Sequence, residues 1–301
     1  MIDFRTREVT TRGVRLSVLT GGRADGAPMM FLHGLRDVAW SLAPIASHFA
    51  DRFALSLPHL RGHGDSDKPG VYTFEHYIHD LYQVVQAICP APPVIVGHSL
   101  GGQIAARFAA VFPEHVHRLV LLEGLGPPEL PAVAEPAAAL AMYRARLLDR
   151  FAERPQSRGM DDERMAAERL QRNNPRMQPE VAEWLAGKAT YRDADGRLRW
   201  NFDHHAGSIF VGGNKDDGPS FWQHVQCKAL VVSGDLSYEY WSSMIEGEGY
   251  TGRYAEGEMD ARAAIMPRGR HVPFHHSGHM VHFDEPERVI EEIEAFLQED
   301  D

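Results

Sequence analysis

Pro93-Val94-Ile95-Val96-Gly97-His98-Ser99-Leu100-Gly101-Gly102 runs an apolar strand straight into the pattern Gly-x-Ser-x-Gly. Three fixed small residues recur by chance in long chains, so the pattern takes its meaning from its flanks. A short apolar run precedes it. Behind it, Ile104, Ala105, Phe108, Ala109 and Phe112 mark one face of a helix that Pro113 stops. A serine at the turn between such a strand and such a helix has a chemical use. The turn is tight, so the positions two residues either side of Ser99 must be very small, and both are glycine. The turn lifts the hydroxyl clear of the sheet and sets it at a helix N-terminus, where the dipole favours developing negative charge. Gly102 lets that helix pack closely on the sheet. The plain alternative is a strand-to-helix turn with a capping serine.

Outward from this turn, short apolar runs alternate with helical patterns, which marks a mainly parallel sheet with crossover helices. Residues 4–10 and 14–19 read as an antiparallel hairpin, and 29–33 as a buried strand ending in Gly34. Residues 53–58 form another strand, leading into His59-Leu60-Arg61-Gly62-His63-Gly64. A helix over 73–88 follows, with Tyr77, Leu81, Val84, Val85 and Ile88 at helical spacing. The strand at 119–122 is closed by Glu123 and Gly124. From 125 to about 220 no strand run stands out. A proline-rich exit (Pro127, Pro128, Pro131, Pro136) leads into helical patterns over 137–151, 161–172 and 178–185. This is read as a helical insertion, 125–220, in a core made of 1–124 and 221–301; ordinary crossover helices are the alternative. Strands return at 229–232 and 270–274. In the final helix, Asp284 is expected to cap, Pro286 to sit in the first turn and Glu287 to complete a capping box.

Four stretches in order resemble the α/β-hydrolase superfamily: Phe31-Leu32-His33-Gly34, Leu60-Arg61-Gly62-His63-Gly64-Asp65-Ser66, Gly97-His98-Ser99-Leu100-Gly101-Gly102, and Gly278-His279-Met280-Val281-His282 followed by Glu285-Pro286-Glu287. Leu122-Glu123-Gly124-Leu125-Gly126-Pro127-Pro128 and the helical insert are similar to a serine-hydrolase-like subgroup. The resemblance implies an α/β-hydrolase fold, a mostly parallel central sheet flanked by helices, with the insertion as a helical cap. It implies Ser99 as nucleophile and an oxyanion hole made by the backbone N–H groups of Leu35 and Leu100. It also points to His279 as the base, the residue that position selects independently, after the last strand and before the final helix. His33, His63 and His98 are expected to shape turns or to bond backbone.

The third member of such a triad, the carboxylate that orients the histidine, departs from the common pattern. The family usually places it after the strand that follows the cap, as Gly-x-x-Asp. The matching stretch reads Gly234-Asp235-Leu236-Ser237-Tyr238-Glu239, with an uncharged serine in the acid's place. Glu123, 24 residues beyond Ser99, is the favoured alternative, because a carboxylate ending a central strand needs a partner. Zearalenone lactonases resemble this arrangement. Asp235 and Glu239 remain as rivals.

The 301 residues carry a net charge of −11, which disfavours nucleic acid and anionic membrane surfaces as partners. No secretory leader pattern opens the chain, and Cys89 and Cys227 lie far apart without metal-ligand spacing. A cytoplasmic protein with two free thiols is expected. Five of the 17 histidines fall between His271 and His282. No spacing of two histidines and a carboxylate on one helix accompanies them, so no metal and no cofactor are expected. The expected function is a serine hydrolase (carboxylesterase or lactonase) acting through an acyl-enzyme on a small, apolar substrate. A carbon–carbon bond hydrolase with the same triad and a non-turnover ligand sensor are the alternatives. Trp184, Trp200, Phe210, Trp222 and Met142 are candidates for an apolar pocket wall, or equally for packing between cap and core. A homodimer is left open.

Overall fold

The computed structural model describes residues 1–129, 136–151, 159–210, 217–245 and 249–300. Ten strands are described: β1 (Arg5–Thr11), β2 (Val14–Gly22), β3 (Ala27–Leu32), β4 (Phe53–Pro58), β5 (Val94–His98), β6 (Arg118–Leu122), β7 (Thr190–Arg192), β8 (Leu198–Trp200), β9 (Lys228–Gly234) and β10 (Gly269–Phe274). The helices are α1 (Ala43–His48), α2 (Phe74–Ile88), α3 (Leu100–Val111), α4 (Pro136–Phe151), α5 (Glu163–Asn173), α6 (Pro179–Ala189), α7 (Asp217–Trp222), α8 (Tyr238–Met244), α9 (Glu258–Ala264), α10 (Val281–Asp284) and α11 (Pro286–Leu297). Among the described residues, no helix is long and apolar enough to cross a membrane.

Eight strands form one sheet in the order β1-β2-β4-β3-β5-β6-β9-β10. Only β1 with β2 and β2 with β4 pair antiparallel; the rest of the sheet is parallel. Successive side chains in a strand face opposite sides, so each strand feeds two cores. Ile95, Leu119, Leu121 and Val231 pack on one side with Leu81 and Val84 of α2 and Ile104 and Phe108 of α3. Val94, Val96, Val120, Leu122 and Val232 pack on the other with Ile45 of α1 and Val289, Ile293 and Phe296 of α11. The register sets His98 beside Leu122 and Leu122 beside Val232. The carboxyl ends of β5, β6 and β9 therefore lie side by side, the edge where open α/β sheets gather ligand-binding loops.

The chain between β6 and β9 carries α4, α5, α6 and α7, but it is not purely helical. Residues 190–200 fold as a β7–β8 hairpin. Asp193 Oδ1 accepts the N–H groups of Asp195 and Arg197, and Gly196 supplies a positive φ of 74°. Strands of three residues are too short to show alternation, which is why the expected all-helical insert omitted them. Ala166, Ala186 and Leu198 of this region pack on Val38 and Phe283, residues that follow β3 and β10. The expected Asp284 cap is also corrected. Glu285 is the N-cap of α11, without a side-chain cap bond. Asp284 Oδ2 instead accepts the Gly278 N–H at 2.7 Å and Arg176 Nε at 2.9 Å, steadying the loop that carries His279.

Candidate active site

Ser99 stands between β5 and α3 with φ 50° and ψ −116°. Its neighbours explain the glycines. A Cβ on Gly97 would lie 2.6 Å from the Gly101 carbonyl oxygen, and one on Gly101 would lie 2.2 Å from that of Leu32. Neither space admits a methyl group. The Ser99 N–H donates to Leu122 O, which ties the turn to the adjoining strand.

Ser99 Oγ donates to Nε2 of His279 at 2.9 Å, and Nδ1–H of His279 donates to Glu123 Oε2 at 3.0 Å. The other Glu123 oxygen accepts the Gly234 N–H at 2.7 Å. Glu123 itself sits at φ 52°, with its N–H on Val232 O at 2.8 Å. This strained backbone turns the carboxylate back across the edge of the sheet. All three side chains are buried. Burial pushes the His279 imidazole down to about 3, so it is unprotonated and free to accept the serine proton. Burial works against ionisation of the Glu123 carboxyl, and the Gly234 N–H works for it. The two N–H donors aimed at its oxygens favour the ionised form that orients the imidazole.

The rival acids are placed elsewhere. Asp235 pairs with exposed His275 at 2.7 Å, and Glu239 pairs with Arg176 at 2.8 Å. In place of an acid, the segment after β9 brings aromatic rings. Tyr240 stacks on His279 with centroids 4.0 Å apart and planes 6° apart, and Trp241 meets the same ring edge-on at 4.8 Å. Sequence reasoning missed both; the run Tyr238-Glu239-Tyr240-Trp241 just past Gly234 was the available signal.

Gly34 abuts Ser99: a Cβ there would lie 3.3 Å from Ser99 Cβ. Leu35 follows it, and Leu100 opens α3. Among the described residues, neither N–H has a hydrogen-bond acceptor. The loop histidines bond backbone. His33 donates from Nδ1 to Gly34 O and accepts the Leu60 N–H at Nε2. His63 donates to Arg61 O and accepts the Arg36 N–H. His98 donates from Nε2 to His279 O.

The described wall candidates make separate packing contacts. Trp184 packs edge-on to Trp40, Phe210 to Phe74, and Trp222 is buried in the α3-side core. Trp200 joins the cluster of α5 and α6, and the Met142 side chain lies outside the described residues. A cavity of about 650 Å³ opens along α2 and α3, lined by Tyr72, Phe74, Arg107 and Phe221 among others, and does not reach Ser99.

The family described as alpha/beta hydrolase fold matches residues 27–286. The chain is similar to a serine hydrolase-like protein of Danio rerio, 28% identical over 92% of this chain and 83% of that one. It spans about a third of the length of the uncharacterized Mycobacterium tuberculosis protein it matches, 32% identical over 126 residues, 42% of this chain and 35% of that one. Among solved structures it is similar to E-2-(acetamidomethylene)succinate hydrolase, with a TM-score of 0.76 and 22% identity over 99% of this chain and 100% of that one. The thioesterase domain from the curacin biosynthetic pathway gives 0.80 and 21% over 98% and 100%. A match over residues 27–286, from β3 through β10, places this chain in the α/β-hydrolase fold family.

Proposed function

We propose that the protein cleaves an ester or lactone bond of a small apolar substrate through an acyl-enzyme on Ser99. The observation that carries this reading is the unbroken hydrogen-bonded line from Ser99 Oγ through His279 to Glu123. His279 Nε2 takes the hydroxyl proton as Oγ attacks the carbonyl carbon. The Leu35 and Leu100 N–H groups receive the oxyanion, each such donor contributing about 3 kcal/mol in comparable sites. The tetrahedral adduct then collapses. The carbon–oxygen bond to the leaving group breaks, and the proton on His279 goes to the departing alkoxide. Water, deprotonated by the same nitrogen, releases the acid and restores Ser99. Glu123 holds Nδ1 protonated throughout and offsets the charge of the transient imidazolium.

We read residues 125–220 as the cap that closes over this centre. Gly207 of that segment lies close to Leu35 and Arg36, where a Cβ would sit 3.9 Å from the leucine side chain and 3.8 Å from the guanidinium. Phe202 bridges to His63 in the loop after β4. The cap's own residues would then choose the substrate, and a cytoplasmic small molecule suits the acidic chain.

The test is turnover of a p-nitrophenyl ester by the wild type and by Ser99→Ala. The reading expects multiple turnovers in the wild type and loss of at least about a thousandfold in the variant. A ligand sensor would bind one equivalent and stop.

A further inference from the structure

Behind the triad, three side chains converge without bonding one another: Asp37 from the loop after β3, His98 from the end of β5 and His282 from α10. Asp37, His98 and His282 each present an oxygen or a ring nitrogen, and these atoms lie within 4.8 Å of one another. His98 and His282 are 2% and 3% exposed. Among the described residues, Nδ1 of His98 and both nitrogens of His282 lack a hydrogen-bond partner. Buried imidazole nitrogens left unpaired are costly, so an arrangement with three of them, one from each ring gathered near a carboxylate, is incomplete as it stands.

The protonation pattern is set by the surroundings. His98 Nε2 faces the carbonyl oxygen of His279 at 3.0 Å, and a carbonyl only accepts. The proton is therefore on Nε2, and the lone pair is on Nδ1, pointing into the cluster. Metal-bound histidines typically donate their other ring N–H to such a carbonyl. Gly34 keeps the space beside Nδ1 open, since a Cβ there would stand 3.0 Å away. Asp37 is held in place by the Val38 N–H at 2.8 Å and the Ser41 hydroxyl at 2.6 Å.

We infer that Asp37, His98 and His282 form a binding site for one divalent transition-metal ion of the zinc class. Two imidazoles and one carboxylate are a donor set that zinc accepts, at about 2.0–2.2 Å each. Ligand atoms around a tetrahedral ion of this size stand about 3.4 Å apart, so a pair at the 4.8 Å limit closes by about 1.4 Å on binding. The site is a clip rather than a reaction centre. It joins the loop of Leu35, the residue preceding Ser99, and the helix that follows His279. None of the five-histidine cluster except His282 takes part: His271 bonds Ser233 and Asp260, and His275 bonds Asp235.

The test uses full-length protein stripped with chelator, then titrated with Zn²⁺ and Co²⁺ in the absence of substrate, which keeps it separate from the fate of the Ser99 reading. One tightly bound equivalent is expected, with four- or five-coordinate Co²⁺ visible bands. Zinc at a hundredfold its Kd should raise the thermal midpoint by about 5 °C. Asp37→Asn and His282→Ala lose the equivalent, whereas His275→Ala/His276→Ala keeps it. X-ray absorption on the zinc-loaded wild type reads two imidazoles and a carboxylate even if the variants fail to fold. No uptake by the wild type, binding that survives His282→Ala in folded protein, or a shell containing sulfur would overturn the inference and leave water as the occupant.

Discussion

Glu123 Oε2 lies 3.0 Å from His279 Nδ1 across 156 residues of sequence, while Asp235, one strand over, turns away to His275. The carboxylate that meets His279 therefore rises from β6, the strand after α3. Glu123→Gln should lower kcat by about 10²–10⁴, because an amide does not hold the productive imidazole tautomer. Asp235→Asn should stay within about twofold, since its partner is an exposed histidine whose pairing contributes little. Steady-state kinetics on one ester decide this; the opposite ranking would move the acid to Asp235.

The stacking of Tyr240 on His279 predicts a second, smaller effect. Its ring limits where the imidazole can swing, and its hydroxyl has no part in the proton path. Tyr240→Phe should retain kcat within about twofold, and Tyr240→Ala should lose about tenfold, through looser positioning of the base. Equal kcat in both variants would remove the ring from the account.

Acid stability follows from the loop histidines. Burial lowers His63 from its ordinary 6.5 to about 4, and His59 likewise to about 4. A folded pKa depressed below the unfolded one gives stability that is complete above about 6.5. It is lost as pH falls through about 4, when the unfolded chain binds protons the folded chain refuses. For His63 this amounts to about 3 kcal/mol. Urea midpoints between pH 7 and 4 should fall steeply in the wild type and less steeply in His63→Asn, whose amide serves the Arg36 N–H and the Arg61 carbonyl without titrating. Parallel curves would contradict the assignment.

Much of this was legible in the chain. The Ser99 turn was readable because steric exclusion leaves a local mark: a Cβ at 97 or 101 collides with backbone, so glycine must appear at fixed distance. The sheet was readable because buried parallel strands are continuous apolar runs. That His279 meets Ser99 was suggested by its position, and that Glu123 meets His279 by the awkwardness of an acid ending a central strand. What was not legible depends on contacts between distant segments. Tyr240 and Trp241 earn their places only once β9 and β10 lie side by side. Asp284 looked like a helix cap because capping is a local pattern, yet the Gly278 N–H and Arg176 took its oxygen. The β7–β8 hairpin was too short to show a period. Asp37, His98 and His282 share no spacing, and only the fold brings them together.

We propose that Ser99 carries the acyl group, and intact-mass spectrometry with peptide mapping after treatment with a fluorophosphonate is the decisive test. One adduct per chain is expected, located on Ser99, with loss of ester turnover in step with labelling. Full turnover in fully labelled protein, or an adduct on another residue in both wild type and Ser99→Ala, would contradict it.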